Sequence, residues 1–104
     1  MQIFFEDKDL EELIFSGKNH KYRKYQRDKR FVTSLVKVYK TMLATECAAK
    51  LSQWSFLHYE KLKNYDLSSI RVMNGRVERI LFKETENGIV ITIIELNETH
   101  YGNK

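Results

Sequence analysis

Two Asn-Gly pairs in the last third of the chain constrain its fold more than any other feature. They are Asn74-Gly75 and Asn87-Gly88, and they separate segments rich in β-branched residues at 68–73, 77–84 and 89–96. Asn-Gly favours a two-residue β-hairpin turn, because both central residues of that turn need positive φ. The pattern therefore predicts three antiparallel strands joined as a meander.

Both alternating sets of side chains in the last of these strands are largely apolar. One face of the strand can pack on helices. We expect a partner chain to cover the other face, unless tight curvature of the sheet produces the same pattern. The two sets are Ile89, Ile91 and Ile93 on one side, and Val90, Ile94 and Leu96 on the other.

A strand and a short helix are predicted at the beginning of the chain. Residues 2–5 have the composition of a strand. Asp7 stands where an N-cap is expected, and Gly17 is a typical helix end. The predicted helix between them spans two to three turns.

The main helix is predicted to begin near 22–25 and to run past residue 40. A third short helix is expected at 46–51, capped by Thr45, and Trp54 and Phe56 beyond it are expected in the core. The main helix carries an apolar stripe at 3.6-residue spacing, formed by Phe31, Val32, Leu35, Val36, Tyr39, Met42 and Leu43.

The order of these elements predicts an α+β fold. An N-terminal strand and two to three helices would pack on a C-terminal antiparallel sheet. The length of 104 residues, the absence of proline and the lack of a linker-like stretch predict one domain spanning 1–104.

Positive charge is concentrated in one segment. The net charge is +4, and residues 18–30 contain a single acid, Asp28, with Tyr22 and Tyr25 between the cations. Such a patch indicates phosphate binding, and a solvated helix face explains it equally well. The cations are Lys18, Lys21, Arg23, Lys24, Arg27, Lys29 and Arg30.

Metal, cofactor and membrane chemistry find no support in the sequence. Cys47 is the only cysteine, so no internal disulfide or cysteine-based zinc site is expected. His20, His58 and His100 lack metal-type spacing. The apolar runs are too short to span a bilayer, and the N-terminal segment turns acidic by its sixth residue, so we expect a cytoplasmic protein without a membrane partner.

The order of several short motifs resembles one family over nearly the full length. These motifs are D-x-x-L-E-E-L from Asp7, the basic second helix, LHYEKLKNYDLSSIRV from Leu57, ERILF from Glu78, and an acid with His-Tyr near residue 100. Together they resemble the RelE/ParE superfamily of bacterial toxins, most closely the HigB-type "killer" branch. The resemblance implies a RelE-like fold in a bacterial toxin–antitoxin system.

The resemblance also implies an activity and partners. Toxins of this branch cleave messenger RNA, typically on translating ribosomes. A neighbouring antitoxin, typically a small helix-turn-helix DNA-binding protein, neutralises the toxin, and the complex represses its own promoter. On this basis the chain is expected to be a metal-independent endoribonuclease without a cofactor.

Family site residues carry over to a limited set of positions. His58 follows a leucine eleven residues before Ser69, as in the HigB-type pattern. An alternative alignment places Lys63 on the family's Leu-Lys-Gly-Asp, with Asn64 at the glycine, and leaves His58 outside. Glu98-Thr99-His100 stands where the branch has Asp-Tyr-His, and Tyr101 is a possible substitute for the missing tyrosine. Arg71 and Arg79 match two arginines of the sheet.

RNA cleavage by the 2′-hydroxyl needs a base, an acid and cations around the phosphate. His58 and His100 are the acid–base candidates because histidine titrates nearest neutrality. Glu98 could orient His100, and Tyr101 could stack on a base or transfer a proton. Arg71, Arg79 and Lys63 would bind the phosphate. Contacts to ribosomal RNA phosphates would come from Lys21, Arg23, Lys24, Arg27 and Arg30.

Two questions stay open at this point. A strict two-residue turn at Asn74-Gly75 would place Arg71 opposite Glu78 and the two arginines on different faces, whereas a bulge or three-residue turn would bring them together. The alternatives to a nuclease are a ParE-like inhibitor of DNA gyrase and a non-catalytic antitoxin-binding module. The departures at Asn64 and Thr99 keep the non-catalytic alternative open.

Overall fold

The computed structural model describes residues 1–63 and 65–98 as an α+β fold with a five-stranded sheet. The sheet has the strand order β1-β5-β4-β3-β2. The strands are β1 (Gln2–Phe5), β2 (Glu60–Leu62), β3 (Leu67–Arg71), β4 (Arg79–Thr85) and β5 (Val90–Asn97). The helices are α1 (Lys8–Ser16), α2 (Arg23–Gln26) and α3 (Lys29–Ala44), and short 3₁₀ helices lie at Ala48–Gln53, Ser55–Leu57 and Glu86–Gly88.

The sheet is mixed, which corrects the expectation of an antiparallel one. The predicted meander β3-β4-β5 is antiparallel, and β2 extends it in the same sense. β1, however, lies parallel to β5, with Ile3 beside Ile91 and Phe5 beside Ile93. Only a direct hairpin forces two strands to be antiparallel. The whole helical layer separates β1 from β5 in the chain, so either direction is sterically open.

The first Asn-Gly turn differs from the expected two-residue hairpin. Gly75 has φ of 83°, but Asn74 is not among the residues with positive φ. Arg76 N–H donates to the Met73 carbonyl at 3.2 Å, and Val72 N–H donates to the Glu78 carbonyl at 3.4 Å, so the connection is one residue longer than a strict two-residue hairpin. The longer loop shifts the register, so that Arg71 lies directly opposite Arg79.

A β-bulge explains the doubly apolar pattern of β5. Leu81 pairs with Glu95, whereas the next residue, Phe82, pairs with Ile93, so Ile94 is the extra residue. The bulge places Leu96 on the same side as Ile91 and Ile93, and all three are buried in the core. One face of β5 therefore holds apolar side chains from both sets of the sequence pattern.

Helix α1 begins and ends where the sequence predicts. The Asp7 carboxylate accepts a hydrogen bond from Leu10 N–H at 3.0 Å, and Gly17 N–H donates to the Leu13 carbonyl at 2.9 Å. Leu10, Leu13 and Ile14 are buried. Local capping chemistry is sufficient to define this helix.

The predicted main helix is divided into two. Asp28 leaves the helical conformation, and its carboxylate accepts from Phe31 N–H at 3.1 Å as the N-cap of α3. The preceding α2 is a single turn. The buried line on α3 is Phe31, Leu35, Val38 and Met42, whereas Leu43 is 41% exposed at the edge of the predicted stripe.

Two further local predictions are wrong. Thr45 does not cap the next helix: its hydroxyl donates to the Thr41 carbonyl and accepts from Trp54 Nε1. Trp54 and Phe56 are 39% and 38% exposed instead of lying in the core. Leu51 and Leu57, from the two 3₁₀ helices, fill the core in their place.

Candidate functional site

Arg71 and Arg79 form a cross-strand pair on the sheet face that points away from the helices. Their neighbours Ile70 and Ile80 are paired with each other and buried in the core beneath the helices. Because side chains alternate along a strand, Arg71 and Arg79 lie on the opposite face, together with Ser69. Of the two alternatives that the sequence leaves open, the structure has the longer turn, which brings the two arginines together.

Arg79 is held in place by its surroundings. Its side chain is 11% exposed. Nε donates to the Ser69 hydroxyl at 3.0 Å, Nη2 donates to the His58 carbonyl at 2.5 Å, and Glu60 Oε1 lies 4.0 Å from Nη2. The guanidinium thus ties β4 to β3 and to the turn that precedes β2.

Arg71 occupies a more open position at the end of β3. It is half-buried, and its Nη1 donates to Asn74 Oδ1 at 3.0 Å within the hairpin. A ligand phosphate approaching this face would meet Arg71 more readily than Arg79. The positive charge of the deeper arginine still contributes to the local potential.

His58 joins the arginine pair through its backbone. It has left-handed φ and ψ of 48° and 51° at the end of the 3₁₀ helix Ser55–Leu57, which makes it one of few non-glycine residues with positive φ among those described. Its side chain is exposed. The contact to Arg79 places the backbone carbonyl of His58 beside the arginines, and the contact does not involve the imidazole.

Lys63 lies at the other end of β3 from Arg71. It follows β2, whose last residue Leu62 pairs with Leu67 at the start of β3. The four residue steps from Leu67 to Arg71 correspond to about 13 Å at the usual rise of a strand. Lys63 is exposed, and the described geometry does not bring it to the arginine pair.

Glu98 forms an ion pair with a lysine of α2. Its carboxylate lies 2.9 Å from Lys24 Nζ. Asn97, directly before it, pairs with Arg79 in the β4–β5 register, so the end of β5 runs beside the arginine strand. The other predicted members of this segment, Thr99, His100 and Tyr101, lie outside the described residues, as does Asn64.

The basic segment is exposed, but it is not one continuous helix face. It includes the single-turn α2 and the break at Asp28. Tyr22 and Tyr25 are buried and anchor the segment to the core. Nζ of Lys21 lies 5.4 Å from the Tyr22 ring centre, and Nζ of Lys24 lies 5.1 Å from that of Tyr25. The exposed predicted phosphate ligands are Lys21, Arg23, Lys24, Arg27 and Arg30.

A charged cluster beside the hairpin is not predicted from the sequence. Arg76 forms ion pairs with Asp28 at 2.8 Å and with Glu78 at 2.9 Å, and its guanidinium lies 5.0 Å from the Phe31 ring centre. Tyr25 Oη donates to Glu78 at 3.0 Å. Glu78 is therefore the partner of Arg76 and Tyr25. Its side chain lies on the helical side of the sheet, whereas Arg71 lies on the opposite face. The sequence feature that points to this cluster is Asp28, the single acid of the basic segment.

The ionisation of this cluster follows from burial and pairing. Burial of Glu78 opposes its charge, but hydrogen bonds from Arg76 and Tyr25 outweigh it and lower the pKa of the carboxyl below its ordinary value. Burial and the bond to Glu78 raise the pKa of Tyr25. The hydrogen bond from Arg76 lowers the pKa of Asp28. The carboxylates are therefore ionised and the phenol is neutral near neutral pH.

A second carboxylate cluster fixes the far edge of the sheet. Glu84 accepts hydrogen bonds from Tyr59 Oη at 2.5 Å and from the Ser68 hydroxyl, and Lys61 Nζ lies 3.7 Å away. Burial and the bond to Glu84 raise the pKa of Tyr59. This cluster lies on the core side of the sheet, so it is separate from the arginine pair.

Comparisons with known proteins leave the chain without a match: no family model, curated protein or solved structure corresponds to it. Within residues 1–63 and 65–98, no group of three or more His, Cys, Asp or Glu side chains is placed to hold a metal ion. No helix in the same part of the chain is long and apolar enough to cross a membrane.

Proposed function

We propose that this chain is the toxin of a type II toxin–antitoxin system and a metal-independent endoribonuclease that cleaves messenger RNA on translating ribosomes. The observation that carries the proposal is the direct pairing of Arg71 with Arg79 on one sheet face, with the His58 backbone bound to Arg79. The order of strand, helices and meander supports assignment to the RelE-like fold of the HigB-type branch.

The proposed chemistry assigns roles to the residues around this pair. A histidine takes the proton of the RNA 2′-hydroxyl, and a second histidine protonates the leaving 5′-oxygen. His58 and His100 fill these roles, with Glu98 as an orienting carboxylate and Tyr101 as a stacking or proton-transfer group. Arg71 meets the phosphate directly, and both arginines stabilise the charge that develops in the transition state.

The basic segment supplies a second contact to RNA. Its five predicted phosphate ligands are exposed on the helical side of the molecule. The segment would hold ribosomal RNA while the arginine face acts on the message. Such contacts depend on phosphates and weaken with added salt.

The proposed cellular partners follow from the same assignment. A small helix-turn-helix antitoxin would bind the chain in the bacterial cytoplasm, and the complex would repress its own promoter. The substrate is messenger RNA in the ribosome.

Induced expression in bacteria tests the proposal directly. Wild type, Arg71→Ala and His100→Ala are expressed beside Lys83→Ala, which changes an exposed lysine of β4, and transcript ends are mapped after growth arrest. We expect arrest with new cuts inside translated messages for wild type and Lys83→Ala, and loss of the cuts in the other two variants. Arrest with intact messages and DNA damage would instead indicate a gyrase inhibitor.

A non-catalytic antitoxin-binding module is the second candidate. It is favoured by the environment of Arg79, whose Nε and Nη2 are committed to Ser69 and His58 as in a structural arginine. This alternative predicts that expression causes neither arrest nor cleavage, while the chain still forms a stable complex with the protein encoded beside it.

A further inference from the structure

An open apolar groove lies between α3 and the two 3₁₀ helices that follow it. It has a volume of about 610 Å³. One wall is the outer side of α3 from Thr33 to Ala44, including Val36, and the other wall is formed by Trp54 and Phe56. It is distinct from the arginine pair, and neither the core nor the proposed catalytic face uses it.

The aromatic wall of the groove is fixed in position. Trp54 Nε1 donates to the Thr45 hydroxyl at 3.1 Å, which orients the indole ring. The Trp54 and Phe56 rings lie 6.3 Å apart at an angle of 58°. Tryptophan is one of the residue types that are enriched at the energetic hot spots of protein interfaces.

The rim of the groove is positively charged. Lys37 and Lys40 stand on the α3 side, and the described residues that line the groove include no acid. Lys37 Nζ lies 4.6 Å from the Phe56 ring centre. The groove therefore combines an apolar floor with cations above it, and a complementary ligand has apolar side chains flanked by carboxylates.

We propose that this groove binds an acidic amphipathic helix of a partner protein. The wall from Thr33 to Ala44 spans eleven residue steps, or about 16 Å at the rise of an α-helix, which accommodates about three turns of a second helix. Apolar residues at i, i+3 or i+4, and i+7 would enter between α3 and Trp54, and glutamates beside them would reach Lys37 and Lys40.

The ring geometry favours a helix over single-stranded nucleic acid. Successive bases stack on parallel ring faces, but the two rings here are steeply inclined to one another. The Lys37 ammonium also covers one face of Phe56. A V-shaped apolar cleft of this kind fits branched aliphatic side chains. The inference rests on the groove alone and does not require the chain to be a nuclease.

The fluorescence of Trp54 provides the test, because it is the only tryptophan of the chain. The full-length protein is titrated with a designed helical peptide of about 20 residues that carries leucines on one face and glutamates beside them. Two matched peptides serve as controls, one with the same composition scrambled and one with lysines in place of the glutamates. We expect a saturable blue shift with the acidic amphipathic peptide only.

Charge reversal at the rim sharpens the test without touching the core. The Lys37→Glu/Lys40→Glu double variant is expected to bind the acidic peptide at least about tenfold more weakly and to prefer the lysine peptide. Lys83→Glu, which reverses the charge of an exposed lysine of the sheet away from the groove, is expected to bind like wild type. Trp54→Ala, followed by peptide anisotropy, is expected to lose binding.

Several results would overturn the proposal. These are equal binding of the scrambled peptide, no saturable shift with the acidic peptide, or an unchanged affinity in the Lys37→Glu/Lys40→Glu variant. A Trp54 shift with single-stranded oligouridylate that the acidic peptide cannot compete would identify a nucleic-acid surface instead. A shift that depends on protein concentration without peptide would identify self-association.

Discussion

Arg71 and Arg79 are chemically identical neighbours with different contacts. Arg79 donates to Ser69 and to the His58 carbonyl, whereas Arg71 donates to Asn74 in the loop beside it. Removal of the Arg79 side chain takes a hydrogen-bond donor away from the Ser69 hydroxyl in β3 and from the His58 carbonyl before β2. Within the described residues, removal of the Arg71 side chain affects an interaction inside the hairpin.

The two arginines should therefore respond differently to truncation. We expect Arg79→Ala to lower the free energy of unfolding by about 1–3 kcal/mol, because hydrogen bonds from a charged donor are removed. Arg71→Ala should change it by about 0.5 kcal/mol or less, yet lower RNA cleavage by about 10²-fold or more if the proposed site is correct. Urea unfolding and cleavage assays on both variants measure the two effects. Equal destabilisation by both would contradict the assignment.

Glu78 shows how one residue can be buried and ionised at once. It is 7% exposed, and its oxygens accept from Arg76 and Tyr25. Since its pKa lies below the ordinary value of 4.5, the ionised form stabilises the folded state above that pH. The contribution is lost as pH falls through the lower pKa of the folded protein.

Substitution of Arg76 should reveal this pH dependence of the stability. Arg76→Leu leaves the Glu78 carboxylate buried without its cation, and we expect a loss of about 2 kcal/mol at pH 7, less than for a fully buried pair because Arg76 is partly exposed. The difference from wild type should shrink as pH falls below 4.5, because Glu78 becomes protonated in both proteins. Urea unfolding from pH 3 to 7 measures it, with Arg76→Lys as the intermediate control. A difference that does not vary with pH would exclude Glu78 as the cause.

At the scale of elements, the success of sequence reasoning depends on how local the determinants are. Helix α1 can be predicted because Asp7 and Gly17 act on their own helix. The existence of the meander follows equally from its turns. The register of the meander does not follow from the turns, because the longer loop before β4 and the bulge at Ile94 depend on packing across strands.

The candidate site also has some features that local sequence predicts and others that depend on distant contacts. The residue types and the resemblance point to Arg71, Arg79 and His58. The hydrogen bond from Arg79 to the His58 carbonyl depends on a left-handed residue twenty-one positions away in the chain. Trp54 and Phe56 are expected in the core because large aromatics are usually buried, and no local pattern indicates that Leu51 and Leu57 fill that space.

The two hairpin glycines allow a matched test of turn geometry. Gly75 and Gly88 both have positive φ, but a Cβ at Gly75 would meet nothing within 4 Å, whereas one at Gly88 would lie 3.2 Å from Ala48 N. Gly75→Ala should cost about 1 kcal/mol from backbone strain alone. Gly88→Ala should cost more, because Ala48 is buried and must also move. Thermal unfolding compares the two, and a smaller loss at Gly88 would contradict the close approach.

At the scale of the whole molecule, the two regions that are proposed to contact RNA lie on different sides. The basic segment is on the helical layer, and the arginine pair is on the opposite face of the sheet. The ion pair of Lys24 with Glu98 connects α2 to the end of β5. A long ligand such as RNA could contact both regions around this end.

This arrangement predicts separable effects on binding and on cleavage. Arg27→Glu/Arg30→Glu should weaken binding to ribosomal RNA and flatten the salt dependence, by about 0.7–0.9 in the logarithmic slope for each phosphate that is no longer bound. Both side chains are exposed, so the fold should be unaffected. Binding at several salt concentrations is compared with Lys83→Glu. An unchanged slope would indicate that the segment does not bind phosphates.

The parallel pairing of β1 with β5 determines when the sheet can be completed during synthesis of the chain. Gln2 pairs with Val90, and Phe5 pairs with Ile93, so the first strand synthesised pairs with the last strand of the sheet. The caps of helix α1 lie directly beside it in the sequence, so its ends do not depend on a distant strand. The pairing of β1 therefore has to wait until β5 has emerged from the ribosome, and the complete sheet is among the last features of the described chain to form.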